Sequence, residues 1–329
     1  MTLRQKICVG MVFVALALAA YPASATGTGR IFVSNEKSHN VVVLDGVTYE
    51  QVAEIKTGKR PRGMKFSKDR SKLYVACGDD DRIDIIDVAS LKVIDSISGI
   101  EDPETFDIDA QEKRLYVSNE DDSKVSIIDL SAKRERVGEI PVGLEPEGVA
   151  FTADGKKLLV TSEVGNLVHV IDPATAKIIA NILTDTRPRR IAFTPDGREA
   201  WISAELGASI NIIELGTLKL THKIAIEPKG FRKEDVTPVG LVVTADGKTA
   251  FVTLGRAAHV AVIDVASRKV RNFILVGRRA WDATLSRDQK RLFVTNGASD
   301  DLSIIDVASE KVIRSVPVGR YPYGVVIDD

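Results

Sequence analysis

Seven positions in this chain recur at regular spacing and carry residue types that could bind a ligand or act on one. Each follows a proline, or the alanine that replaces it once, at the start of a strand-like segment. They are Arg62, Glu104, Glu147, Arg189, Val239, Trp281 and Tyr323. Arginine binds carboxylates through paired hydrogen bonds, Trp and Tyr offer stacking faces, and positioned acids serve in acid–base catalysis. These positions therefore indicate either recognition of an anion or hydrolysis.

The seven positions and their neighbours separate into two groups by charge. One group, the basic–aromatic arc, comes from the last two repeats and the first, and contains Arg60, Arg62, Arg278, Arg279, Trp281, Arg320, Tyr321 and Tyr323. The other, the acidic arc, contains Asp102, Glu104, Glu145 and Glu147. We expect the basic–aromatic arc to bind a flat molecule that carries carboxylates or other anionic groups. The alternative is a solvated rim in which Arg and Glu balance each other.

Evidence for catalysis or for a metal site is weak in the sequence. The acids of 79–81, 121–122 and 300–301 lie in predicted loops, and their spacing does not match a calcium-binding EF-hand loop. The four histidines are scattered, and none is paired with a nucleophile at a recognisable elbow. We therefore predict no metal ligands and no catalytic residues. A hydrolase, as the alternative, would use Glu104, Glu147 and Asp282.

A repeated sequence motif must position these residues. It consists of an aromatic-containing strand, a polar turn and a run rich in Val and Ile that ends in an acid, and we call it the repeated phrase. Its clearest copies pair Leu115–Asn119 with Val125–Asp129 and Leu292–Asn296 with Leu302–Asp306. The acids that close the phrase are Asp45, Asp87, Asp129, Asp172, Glu214, Asp264 and Asp306, at spacings of 42, 42, 43, 42, 50 and 42 residues. A period in the forties with strand-like phrases is typical of a propeller. The sequence predicts an all-β, seven-bladed β-propeller of four-stranded antiparallel blades.

The ends of the repeat array predict how the ring closes. The first strand, 30–34, begins inside a repeat, and the last, 323–327, copies the strand that would precede it. We expect the C-terminal strand to complete a blade with three N-terminal strands, which pairs the two free sheet edges. The acids that close each phrase are predicted to accept hydrogen bonds in turns.

The 50-residue spacing contains an insertion at 227–235, which is too polar for a core. Insertions in repeat proteins lie in loops, often on the binding face. We predict a loop here, either at a binding face or without functional consequence.

The first 25 residues read as an export signal with Arg4 and Lys6, an apolar run, and small residues at 23–25. We expect cleavage near Thr26, a periplasmic protein, and one propeller domain over 26–329.

The net charge of −1 argues against nucleic acid as a partner. Cys77 would be the only mature thiol, and we expect it to be a buried filler. No later segment is long and apolar enough to span a membrane.

The phrases Tyr74–Ala76, Tyr116–Asn119, Phe251–Thr253 and Phe293–Asn296, with Pro61, Pro146, Pro238 and Pro322, resemble the YVTN family of β-propellers. The exported seven-repeat layout is similar to propeller proteins associated with PQQ-dependent alcohol catabolism. That resemblance implies a non-catalytic periplasmic accessory, a monomer, that binds PQQ or a similar anion. Its partner would be a periplasmic quinoprotein dehydrogenase or a transport component. The alternatives are a lactonase-like hydrolase and a pure protein-interaction ring.

Overall fold

Alternating β-branched residues and polar turns give this chain short strands with almost no helix. The computed structural model describes residues 27–131 and 133–329. The first fourteen strands are β1 (Arg30–Asn35), β2 (Asn40–Asp45), β3 (Gln51–Lys56), β4 (Pro61–Phe66), β5 (Lys72–Cys77), β6 (Arg82–Asp87), β7 (Lys92–Ser98), β8 (Pro103–Ile108), β9 (Arg114–Asn119), β10 (Lys124–Asp129), β11 (Arg136–Pro141), β12 (Pro146–Phe151), β13 (Leu158–Ser162) and β14 (Leu167–Asp172).

The second half of the chain repeats the pattern. Its strands are β15 (Lys177–Leu183), β16 (Pro188–Phe193), β17 (Glu199–Ala204), β18 (Ser209–Glu214), β19 (Lys219–Ala225), β20 (Pro238–Val243), β21 (Thr249–Leu254), β22 (His259–Asp264), β23 (Lys269–Leu275), β24 (Ala280–Leu285), β25 (Arg291–Asn296), β26 (Asp301–Asp306), β27 (Lys311–Pro317) and β28 (Pro322–Asp328). Two short 3₁₀ helices, Gly78–Asp80 and Lys233–Asp235, lie in loops.

The strands form seven antiparallel sheets of four, arranged as a ring, which confirms the predicted seven-bladed propeller. Six sheets consist of four consecutive strands, and the seventh has the order β28-β1-β2-β3. Neighbouring blades touch through their first strands, β4, β8, β12, β16, β20, β24 and β28, which surround the axis. The predicted closure is therefore correct: β28 pairs with β1 from Arg30 opposite Asp328 to Asn35 opposite Pro322.

The core lies between adjacent blades. One cluster combines Val33 and Val42 of the closing blade with Phe293 and Leu302 of the blade before it. Aromatic rings of neighbouring blades also pack edge to face, as do Tyr116 and Phe151, whose ring centroids are 5.1 Å apart. Each blade thus buries its two faces against its two neighbours, and closure of the ring extends this contact to the first and last blades.

The acids that end the third strand of each blade act as turn residues, as predicted. Asp45 accepts hydrogen bonds from the backbone N–H groups of Val47 and Thr48 at 2.8 Å each. Asp306 accepts hydrogen bonds from the hydroxyl of Ser309 at 2.7 Å and from its backbone N–H at 2.9 Å. These bonds hold the pKa of both carboxyl groups below the ordinary value. Their role is structural.

Three further expectations concern single segments. Cys77 is fully buried, and burial raises the pKa of its thiol, so it packs as an inert filler. The insertion at 227–235 is a loop that contains the second 3₁₀ helix. The predicted export signal, 1–25, lies outside the described residues. Within 27–131 and 133–329, no helix has the length and apolar character needed to cross a membrane.

Candidate functional site

The loops that lead into the seven innermost strands place side chains at one mouth of the ring, which we call the funnel. The residue just before each of these strands has a left-handed backbone, with φ between 37° and 61°, although none is glycine: Arg60, Asp102, Glu145, Arg187, Thr237, Arg279 and Tyr321. A positive φ is uncommon for residues with a side chain. Its repetition at all seven positions shows that the loops end in the same backbone conformation, after which the following proline or alanine begins the strand.

The repeated phrase anchors the funnel directly. In six blades a Ser or Thr near the end of the second strand donates its hydroxyl to the backbone carbonyl of the next funnel residue. Ser34 bonds Arg62, Ser118 bonds Glu147, Thr161 bonds Arg189, Ser203 bonds Val239, Thr253 bonds Trp281 and Thr295 bonds Tyr323, at 2.6–2.8 Å. Ala76 occupies the seventh position and has no hydroxyl. This contact explains why Ser or Thr recurs in the phrase.

Glycines behind the funnel residues let the innermost strands approach each other. A Cβ atom at Gly148 would lie 2.2 Å from the carbonyl oxygen of Arg189 on the next blade. A Cβ atom at Gly240 would lie 2.6 Å from the carbonyl oxygen of Trp281. The backbones of neighbouring innermost strands therefore pack directly against each other around the axis. This close packing restricts the positions of the funnel residues.

Arg60 and Arg62 of the basic–aromatic arc pair with members of the acidic arc. The Nε of Arg62 lies 2.7 Å from Glu36, and its guanidinium also pairs with Glu104. Arg60 pairs with Asp102 and lies 2.8 Å from Asp79. These two arginines therefore have carboxylate partners within the protein, as in the charge-balanced rim considered above.

A second network is built around Glu147. Its Oε1 lies 2.5 Å from Nη1 of Arg190 and accepts a hydrogen bond from the hydroxyl of Tyr323 at 2.9 Å. Arg189 lies 3.4 Å from the same oxygen and also pairs with Glu163. The Tyr323 hydroxyl is 3.3 Å from Glu104, so it connects the two networks. Tyr323 and Glu147 are both 1% exposed.

Burial and these partners push the carboxyl pKa values in opposite directions. Burial raises the pKa of Glu104 well above its ordinary value, although Arg62 opposes the shift. Burial also raises the pKa of Glu163, to about 8. At Glu147 the guanidinium groups of Arg189 and Arg190 outweigh burial and hold the pKa below its ordinary value. The funnel thus contains buried acids with different protonation behaviour.

The rest of the basic–aromatic arc contains a smaller assembly, which we call the cation–aromatic cluster: Lys37, Arg279, Trp281 and Tyr321. The Arg279 guanidinium lies 3.8 Å from the centre of the Trp281 ring and 4.5 Å from that of Tyr321. The Nζ of Lys37 lies 3.9 Å from the Tyr321 ring centre. Both Nη1 of Arg279 and Nε1 of Trp281 are buried donors that have no hydrogen-bond partner among the described residues.

Arg278 and Arg320 lie at the edge of this cluster. Both are exposed, and the guanidinium of Arg278 donates a hydrogen bond to the carbonyl of Ala298 at 3.3 Å. The structure therefore distributes the basic–aromatic arc over three environments. Arg60, Arg62 and Tyr323 are in ion networks, Arg279, Trp281 and Tyr321 are in the cluster, and Arg278 and Arg320 face solvent.

Three members of the acidic arc lie near enough to other carboxylates to share a cation. Asp102, Glu104 and Glu120 form one group with oxygen atoms within 4.8 Å, and Glu120, Glu145 and Glu163 form another. Arg62 lies 3.5 Å from Glu120, and Arg187 lies 2.6 Å from Glu163. Guanidinium groups thus already supply positive charge to both groups. The absence of metal ligands stays a prediction.

The sequence reasoning missed the acids that the funnel arginines use. Glu36, Glu120, Glu163 and Glu205 each follow the last residue of a second strand, at equivalent places in four repeats. That repetition was a readable signal. Lys37 and Arg190 gave no such signal, because each occurs at its repeat position once. Arg190 replaces a residue that is glycine in four other blades.

Solved structures with this architecture come from diverse proteins. The chain is similar to hydrazine synthase from Kuenenia stuttgartiensis, with 20% identity and a TM-score of 0.77 over 89% of this chain and 99% of that one. It is also similar to a periplasmic gluconolactonase from Pseudomonas aeruginosa, with 19% identity and a TM-score of 0.76 over 91% of this chain and 99% of that one. A putative 6-phosphogluconolactonase from Bacteroides fragilis is similar with 15% identity and a TM-score of 0.76 over 91% of this chain and 98% of that one. Likeness at such identities shows the fold alone.

Sequence comparisons give the family. No curated protein matches the chain. A family model described as the choice-of-anchor I domain matches residues 81–292, which run from the blade of β4–β7 to the blade of β24–β27. Because this match covers more than half of the sequence, the chain belongs to the choice-of-anchor I domain family.

Proposed function

We propose that this chain is a non-catalytic binding propeller whose cation–aromatic cluster binds a flat anionic small molecule. The observation that carries the proposal is the pair of buried donors without partners, Nη1 of Arg279 and Nε1 of Trp281. A buried donor that makes no hydrogen bond costs about 1–3 kcal/mol. A ligand that brings acceptor oxygens to both donors would remove that cost.

The charges near these donors favour an anion. Lys37, Arg278, Arg279 and Arg320 are all cationic, and the nearest acid to Arg279 is Glu36, at 3.9 Å. Glu36 is engaged by Arg62 at 2.7 Å. Burial lowers the pKa of Arg279, in keeping with a charge that the protein compensates incompletely. A carboxylate placed against Arg279 would compensate that charge.

The proposal that the ligand is PQQ rests on the resemblance of the repeats to YVTN propellers of PQQ-dependent catabolism. PQQ is flat and carries carboxylates, so it suits a cluster in which Arg279 offers a fork beside the rings of Trp281 and Tyr321. We propose an accessory that is exported to the periplasm after loss of residues 1–25. It would act there with a quinoprotein dehydrogenase or a transport component. The periplasmic gluconolactonase among the structural neighbours is in keeping with export.

Calorimetric titration of PQQ and of other planar carboxylates tests the binding function. We expect saturable binding by the intact protein and a loss of about tenfold or more in affinity for Arg279→Ala, because one charged hydrogen-bonded partner is removed. Arg198→Ala is the matched control, since that side chain is 83% exposed in the turn between β16 and β17, away from the funnel loops. Equal affinities for the intact protein and Arg279→Ala would contradict the proposal.

Lactone hydrolysis is the second candidate function. Glu104 and Glu147 have pKa values displaced in opposite directions and both lie within 3.3 Å of the Tyr323 hydroxyl, a relationship seen in acid–base pairs. We rank hydrolysis second because both carboxyl groups are already paired within the protein, Glu104 with Arg62 and Glu147 with Arg190. An assay with gluconolactone tests it. Hydrolysis that is lost in Glu104→Gln would favour an enzyme over the binding function.

A further inference from the structure

The insertion at 227–235 encloses a pocket of about 520 Å³ that is separate from the cation–aromatic cluster. It lies on the funnel face, between the loop that follows β19 and the hairpin that joins β17 to β18. Small-molecule sites commonly enclose about 300–1,000 Å³. The insertion contributes Glu227, Phe231 and Lys233 to the lining, so the additional residues shape this pocket.

The insertion is a built loop with its own hydrogen bonds. Phe231 N–H donates to the carbonyl of Pro228 at 3.3 Å, and Asp235 N–H donates to that of Arg232 at 3.0 Å. Arg256 of the next blade donates from its guanidinium to the carbonyl of Glu234 at 3.1 Å. The loop therefore holds the Phe231 ring in place beside the pocket, with its edge toward His259 at a centroid distance of 5.6 Å.

The floor of the pocket is apolar. Ala208, Ile226 and Val236 line it and are at most 4% exposed. Phe231 forms a wall and remains 39% exposed, an unusual position for a large apolar side chain. A ligand with an apolar group of aromatic size would cover Phe231 and fill the floor, which removes apolar surface from water.

The rim of the pocket carries charges of both signs. Asp185 is already satisfied: Nζ of Lys223 lies 2.5 Å from Oδ1, and Ser209 donates to Oδ2 at 2.6 Å. Lys233 and Glu227 also line the rim, and neither forms an ion pair within the part of the chain that the structure describes. One cation and one anion thus remain for a ligand that carries both charges.

We propose that this pocket binds a small zwitterion with an apolar side chain, of the type represented by an aromatic amino acid. Its carboxylate pairs with Lys233, its ammonium group pairs with Glu227, and its side chain packs on Ile226, Val236 and Phe231. This proposal is independent of the binding function of the cation–aromatic cluster.

Titration calorimetry with L-phenylalanine as the probe tests the proposal. We expect saturable binding at millimolar concentration, with weaker binding of 3-phenylpropionate and of phenethylamine, because each lacks one of the two charges. Lys233→Gln and Glu227→Gln should each lower the affinity about tenfold, and Phe231→Ala should also weaken binding. Lys229→Gln, a charge change in the same loop outside the pocket, should leave the affinity unchanged.

Two outcomes would overturn the proposal: absence of saturable heat with L-phenylalanine, or equal affinities in the intact protein, Lys233→Gln and Glu227→Gln. Thermal melting of each variant establishes that it is folded, and the changed residues lie on an exposed loop. Arg279→Ala should retain full affinity for L-phenylalanine. Loss of PQQ binding and loss of amino acid binding are therefore distinguishable.

Discussion

The hydroxyl of Tyr323 donates to Oε1 of Glu147 at 2.9 Å, which connects the last strand of the chain to the innermost strand of a blade three positions away around the ring. Nη2 of Arg190 donates to the same hydroxyl at 2.7 Å. One phenolic oxygen thus joins three blades across the axis.

Tyr323→Phe should destabilise the protein, because it leaves Arg190 and Glu147 each with one fewer buried hydrogen bond. We expect the free energy of unfolding to fall by about 1–3 kcal/mol. Urea unfolding measures this change. Tyr49→Phe is the control, since no hydrogen bond of the Tyr49 hydroxyl is found in the described residues. Similar losses in both variants would contradict the role of the axial hydroxyl.

Thr295→Val should also be destabilising. The Thr295 hydroxyl donates to the carbonyl of Tyr323 at 2.8 Å and accepts from the N–H of Asp282 at 3.0 Å, and valine has the same shape without these bonds. We expect a loss of about 1–3 kcal/mol in the free energy of unfolding, measured with urea. Thr249→Val, in the second strand of the preceding blade, is the control, and an equal loss there would refute the anchoring role.

Removal of residues 320–329 should destabilise the whole ring, because β28 is deleted and the edge of β1 is left unpaired. The same deletion removes Asp328, which accepts hydrogen bonds from Thr28 N–H at 2.8 Å and from its hydroxyl at 2.7 Å. Thermal melting should show one transition at a temperature lower by many degrees. A truncated protein that melts like the intact chain would rule out this closure.

Stability should depend on pH through Glu163. Its pKa is raised from 4.5 to about 8 in the folded protein, so the folded state binds the proton more tightly than the unfolded state. The contribution of Glu163 is thus complete below pH 4.5 and is lost as the pH rises through about 8. Since one pKa unit corresponds to about 1.4 kcal/mol, the loss is on the order of a few kcal/mol. Glu163→Gln should flatten this part of a melting-temperature profile, and an unchanged slope would contradict the assignment.

The fold was predictable because its determinants are local and repeated. The spacing of the closing acids gave the number of blades, and the copy of the strand at 323–327 gave the closure at β1. Both signals arise because each blade must bury the same faces. The hydroxyl of the repeated phrase was also visible in the sequence, but its partner, a carbonyl on the next blade, required the structure.

The site was predictable only in part. The seven funnel positions could be aligned from the sequence, because they share one place in each repeat, and the structure places each of them in an innermost strand. Their pairing depends on which side chains reach across the axis, and spacing along the chain contains no such information. Thus Arg62 pairs with Glu104 of the acidic arc, whereas Arg279 stacks on Trp281. Lys37 was missed because its contact with Tyr321 forms only when the last lead-in loop meets the first hairpin.

Fluorescence of Trp281 provides the most direct test of the proposed binding site. The chain has two Trp residues, and Trp201 is fully buried with its N–H bonded to Glu199 at 3.0 Å. In the variant Trp201→Phe, Trp281 is the remaining Trp, beside the Arg279 guanidinium. We predict that PQQ quenches its emission saturably, and that Arg279→Ala in the same background weakens the effect about tenfold. Quenching that is absent, or unchanged by Arg279→Ala, would contradict binding of a flat anion at this cluster.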